Sequence, residues 1–218
     1  MVKREELSDL IKTRRSIRKF QDKPVPEDLL VKALELATWA PNGGNQQAWR
    51  FLIISNGELI QKIGDAVNAK TELMASWPEA EKFAEAVTRW RKNSDFFRGA
   101  PVCIAVLMGV YSSVADQILR ARGEKDPIAR EIRSWREIGK SSLQSAAAAI
   151  TYICLLLHHM GLGATWMAGP LQAKKEIEQL LKVSPEWDFV GLIPVGYAAE
   201  DPAIRPRKPI QDVIEFLR

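Results

Sequence analysis

Three apolar stretches decide how this chain has to fold. The longest, AAAAITYICLLL, runs from Ala146 to Leu157. It is too short for a bilayer, which needs about 20 helical residues. It therefore predicts a buried core helix, taken from Ser141 to Met160 and ended by Gly161 and Gly163. The other two are APVCIAVLMGV, Ala100 to Val110, and FVGLIPVGYA, Phe189 to Ala198. Both are continuously apolar rather than alternating, the pattern of central strands covered on both faces.

The remaining elements arrange themselves around these. Leu7, Leu10 and Ile11 are spaced for a first helix ending near Thr13. Pro26-Glu27-Asp28 opens a second, with a proline suited to the first turn and two acids at the positive dipole end. Pro41 is its expected stop. WRFLIIS, Trp49 to Ser55, reads as a strand and GELIQKIGDAV as a helix. Two polar segments, 68–99 and 112–136, read as peripheral helical insertions in a single domain of 218 residues. ATWM suggests a short strand, and AKKEIEQLLKV an amphipathic helix. The proline-punctuated tail from Glu200 reads as extended, with an apolar end that needs something to dock on. Helices and strands alternating in this way give an α+β or α/β fold.

Much chemistry is excluded at once. His158 and His159 are adjacent on a helix, about 100° apart, and cannot share a metal as an i,i+4 pair does. No G-x-S-x-G elbow and no Walker A sequence occur. GLGATW begins like a dinucleotide fingerprint but follows a helix and ends in Trp166. Cys103 and Cys154 sit in apolar runs, without metal spacing, and read as buried free thiols. The charged amino terminus lacks a signal-peptide pattern, so a cytoplasmic protein is expected. Chemistry, if present, falls to a bound cofactor.

Three polar stretches remain. KTRRSIRKFQ, Lys12 to Gln21, holds Arg14, Arg15, Ser16 and Arg18. It could be a solvated face, a nucleic-acid arm or one wall of an anion pocket. The net charge is only +4, and no aromatic residues interleave the basic ones, which argues against nucleic acid. APNGGNQQAWRF, Ala40 to Phe51, offers glycines for close approach and amides that donate and accept together. RPRKP, near the far end, puts Arg205 and Arg207 on one side of an extended chain. Arginines from both chain ends converging on one phosphate would make forked, charge-assisted hydrogen bonds.

TRRSIRKF, APNGGNQQAWRF, GLGATWMAGPL, a central GY and RPRKP, in that order, resemble the nitroreductase family of FMN-dependent oxidoreductases. The resemblance covers nearly the whole chain. It implies an α+β sandwich around a mostly antiparallel sheet, assembled as an intertwined homodimer with shared active sites. It implies that Arg14, Ser16, Arg205 and Arg207 hold the FMN phosphate and ribityl chain, with Arg15 beside them and Arg18 near the pyrimidine edge. It places Pro41, Asn42 and Gly43 on the partner's flavin, with Asn45, Gln47 and Asn93 fixing the ring. Met167, Ala168 and Gly169 match the segment whose backbone approaches flavin N5.

The implied activity is hydride transfer from NAD(P)H through the flavin to a nitroaromatic, quinone or similar flat electrophile, in ping-pong fashion and without a protein nucleophile. Reductive dehalogenation and flavin fragmentation are the alternatives on the same fold, and a non-catalytic flavin-binding protein is a further one. Trp166, Trp77, Trp90 and Trp135 are candidates for the substrate side; Trp39 and Trp49 are expected in the core or a dimer interface. The partners implied are a second copy and a small-molecule acceptor, with neither nucleic acid nor membrane. Ala48 stands where the family often has proline, and Ala168 where some branches have an acid.

Overall fold

The computed structural model describes residues 4–217. Four strands form one antiparallel sheet: β1 Trp49–Ile54, β2 Val102–Met108, β3 Gly163–Ala164 and β4 Asp188–Gly196, in the order β1-β2-β4-β3. The helices are α1 Arg4–Thr13, α2 Glu27–Ala37, α3 Gly57–Ala75, α4 Ala84–Asn93, α5 Val114–Gly123, α6 Pro127–Gly139, α7 Ser141–His159 and α8 Lys174–Leu180.

The continuous apolar runs are explained by β2. Val102, Ile104 and Val106 face a core shared with α2 and α7, where Leu30, Ala33, Ile150, Ile153 and Leu157 are buried. Cys103, Ala105 and Leu107 face a second core with Ile60 and Ile63 of α3 and Ile177 of α8. Strand alternation thus serves two cores, and the fold is a three-layer α+β sandwich. Both cysteines are free and buried.

Three boundaries differ from the expected ones. Helix α2 ends at Ala37, well before Pro41; the Thr38 hydroxyl donates to Glu35 O at 2.7 Å in its last turn. Helix α3 runs unbroken to Ala75, so residue 68 lies inside it rather than at an insertion. Thr71 on α3 is buried and accepts from Gln172 Nε2 at 2.6 Å. The ATWM strand is shorter, β3 ending at Ala164, with Met167 making one further bridge to Leu192.

Helices α5 and α6 form a hairpin beyond β2, and α6 and α7 together are long and apolar enough to pass as a membrane span. They are separate helices: Lys140 between them is left-handed, at φ 42°. The apolar part is α7, whose Ala146, Ala149, Ile150, Ile153 and Leu157 are buried in the sandwich.

Candidate cofactor-binding site

The arm after α1 is laid against the sheet edge. Ser16 bridges to Ala164, and Phe20 to Ala198. Ile17 N–H donates to Ala164 O at 3.1 Å, and the buried Thr165 hydroxyl donates to Ile17 O at 2.6 Å. The Glu200 carboxylate accepts from the backbone N–H groups of Arg18 and Lys19. With Ile17 buried, extended-chain alternation turns Ser16 and Arg18 the other way. Thr165→Val should cost about 1–3 kcal/mol, because it strips a buried carbonyl of its donor. A urea unfolding midpoint matching the wild type would refute this.

That other side is a cavity of about 650 Å³ between the arm, α7 and the tail. Arg14, Arg15, Ser16, Arg18, Arg205 and Arg207 all line it, with Lys12, and Thr151 and Leu155 of α7. Six cations and no carboxylate face it among the described residues. Arg15 is partly committed: its Nη1 donates to the carbonyls of Lys12 and Arg14 at 2.6 and 2.8 Å, closing the end of α1. Arg18 lies over the Phe96 ring, 5.8 Å from its centroid.

His158 lies behind the arm, its Nε2 3.0 Å from the Thr13 hydroxyl. Burial, then the charges of Arg14, Arg15 and His159, hold its pKa below the ordinary histidine value. Burial pushes the Cys154 thiol up to about 11 and Cys103 higher still. At pH 8 only about one Cys154 in a thousand would then be thiolate. Iodoacetamide should therefore leave the native protein unlabelled and add two groups in denaturant; mass spectrometry reads the difference.

The amide loop lies elsewhere. Gly43 N–H donates to Ser145 Oγ near the start of α7, whereas Thr151 and Leu155 flank the cationic cavity. Asn42 Oδ1 accepts from Gln47 N–H at 2.9 Å, and Asn45 and Gln47 are left-handed at φ 51° and 48°. A Cβ on Gly43 would fall 2.6 Å from the Tyr111 ring, so the close packing there requires glycine. Pro41, Asn45 and Gln47 are exposed, and none of the loop lines the cationic cavity of its own chain.

Ala168 and Gly169 are exposed at the start of a 3₁₀ turn, whose first N–H groups the turn itself does not use. The Met167 side chain is turned into the core, and its backbone N–H and C=O pair with Leu192 at 2.9 and 3.0 Å. Trp166 is half exposed beside Gly191. The Asn93 amide donates to Arg89 O at 2.7 Å, within its own helix. Trp77 and Trp135 are exposed on the periphery, and Trp90 is half-buried. Trp49 is buried, but Trp39 is 81 % exposed, so it is no core residue of this chain. Glu200 and Thr165, which fix the arm, carried no pattern to single them out.

A profile described as the nitroreductase family matches residues 11–197. The chain belongs to the nitroreductase family. A Methanothermobacter thermautotrophicus protein, provisionally named NADH dehydrogenase/NAD(P)H nitroreductase, is 31 % identical over 206 residues, covering 94 % of this chain and 83 % of the relative. The iodotyrosine deiodinase of Thermotoga neapolitana is 28 % identical over 95 % of each chain. Among solved structures, a BluB-like flavoprotein from Clostridium difficile 630 superposes with a TM-score of 0.85 at 27 % identity, covering 98 % of this chain and 99 % of that one. This nitroreductase-family chain is therefore an oxidoreductase, and its α+β sandwich is the family's fold.

Proposed function

We propose that the protein is an FMN-dependent oxidoreductase that moves hydride from NAD(P)H to a nitroaromatic, quinone or similar flat electrophile. One observation carries the reading: among the described residues, six cations and no carboxylate, drawn from both ends of a nitroreductase-family chain, line one cavity. Unpaired like charges held together destabilise a fold unless an anion joins them. A phosphate dianion fits that donor set, with Ser16 adding a hydroxyl.

Arg14, Arg205 and Arg207 would grip the phosphate. Arg15 would do so only in part, being engaged with α1. Arg18 would stabilise negative charge at the pyrimidine edge of the ring. The N–H groups at Ala168 and Gly169 would face the reacting edge, and Trp166 would border the acceptor. The chemistry FMN supplies when bound is two-electron hydride exchange, first with reduced nicotinamide and then with the acceptor.

The amide loop at the far end of α7 would serve a second copy's flavin. That makes the unit a homodimer with shared sites, its contact drawing on the exposed Tyr152 face and the apolar tail residues Ile210, Val213 and Ile214. The test is the absorbance spectrum of the purified protein, followed by an acceptor screen. Yellow protein that releases FMN and consumes NAD(P)H with a nitroaromatic supports the reading; colourless protein that takes up no FMN sinks it. The likeness to a deiodinase over almost the whole chain favours reductive dehalogenation as the second reading. Iodide release from iodotyrosine, without nitroaromatic turnover, would select it.

A further inference from the structure

A second cavity, of about 600 Å³, lies between the α5–α6 hairpin and the start of α7. Its wall carries Arg120, Arg133, Arg136 and Lys140 against Asp116 and Glu137. The two carboxylates are already spoken for. Arg136 Nε meets Asp116 at 2.7 Å, and Arg133 Nε meets Glu137 at 2.8 Å. The Arg136 hydrogen bond, with help from Ser113, holds the Asp116 carboxyl well below the usual carboxylate range, so that pair stays ionised and satisfied.

Arg120 and Lys140 are left with no carboxylate partner among the described residues. Lys140 sits in the left-handed region at φ 42°, ψ 59°, which few non-glycine residues adopt. The rest of the lining is of another kind, with Met108, Tyr111 and Leu143 giving apolar and aromatic surface. The cavity therefore pairs a surface for a flat ring with two uncommitted cations.

Its position links it to the redox chemistry. Gly43 of the amide loop packs on the Tyr111 ring, and Gln46 Nε2 donates to Ser112 O at 3.1 Å. We infer that this cavity selects an acceptor that is a flat aromatic carboxylate, its ring on Tyr111 and Met108 and its anionic end held by Arg120 and Lys140. The inference rests on the proposed function, in which the amide loop borders the partner's flavin. It narrows the acceptor from any flat electrophile to one with a carboxylate.

The probes are 4-nitrobenzoate and its methyl ester, assayed with the flavin-loaded protein and reduced nicotinamide. The variants are Arg120→Gln, Lys140→Gln and the double substitution. The wild type should prefer the carboxylate, and the double variant should lower the acid-to-ester ratio of kcat/KM about 10-fold or more, the scale of a lost hydrogen bond to a charged group. An unchanged ratio overturns the inference. So does a loss confined to the KM of reduced nicotinamide, which would give the cavity to the donor. Calorimetric binding of 4-nitrobenzoate, without turnover, separates this inference from the reading it rests on. If the protein holds no flavin yet binds the acid in preference to the ester, and loses that preference in the double variant, the cavity assignment stands without the redox role. No preference in the wild type ends it.

Discussion

Gly163→Val is expected to cost the fold about 3 kcal/mol or more and to remove flavin retention with it. A Cβ at residue 163 would lie 2.8 Å from Ile17 Cβ and Cγ1 and 2.9 Å from Cγ2. Ile17 cannot swing clear, because its offending atoms begin at the backbone and a β-branched side chain is stiff at χ1. The arm cannot retreat either without giving up its bonds to Ala164, Thr165 and Glu200. Those bonds hold the chain that carries Ser16 and Arg18 into the cationic cavity, so a packing change on β3 becomes a binding change. Gly57→Ala is the control, since a Cβ there meets nothing within 4 Å. Urea unfolding and flavin content of the two variants check this. A Gly163→Val protein with wild-type midpoint and full flavin would show that the arm is not fixed as described.

Removing Arg14 and Arg207 together should weaken FMN binding by a factor of at least about 100. Each lost charge-assisted hydrogen bond is worth about 1.5–3 kcal/mol. Two arginines on one phosphate do not add fully, so the double loss falls short of the sum. Equilibrium dialysis against FMN measures it, with each single alanine variant intermediate. The flavin-free protein supplies a separate check. With fewer like charges around the cavity, the double variant should unfold at the same urea concentration as the wild type or a higher one. Weak binding together with a lowered midpoint would point to damage of the fold instead. Undiminished flavin retention would take both residues out of the phosphate site.

What could be read beforehand tracks how strongly a feature is marked by residue type. β2, β4 and α7 were legible because burial on every side leaves continuous apolar runs. The convergence of Arg14, Arg18, Arg205 and Arg207 was legible from chemistry, since clustered cations without acids between them ask for an anion. The length of α3 was not. Its exposed face is charged, and the buried face past residue 68 is carried by Thr71, a polar residue satisfied through Gln172 far along the chain. Trp39 was legible only as core or dimer interface, because a large apolar side chain says nothing by itself about what will cover it; its exposure removes the core of this chain. Glu200 was invisible for the opposite reason: a glutamate in a polar tail looks solvated until the fold sets it beside two backbone N–H groups of the arm.

The two-sided environment of β2 has a further consequence. Even-numbered residues from Val102 to Val106 answer to α2 and α7, the layer beside both cavities; odd-numbered ones from Cys103 to Leu107 answer to α3 and α8. The parity of a residue number is therefore an address. A change at an odd position is felt first by α3 and α8 and, through Met167 in the same core, by the Ala168–Gly169 turn, whereas a change at an even one is felt by the helices beside the cavities.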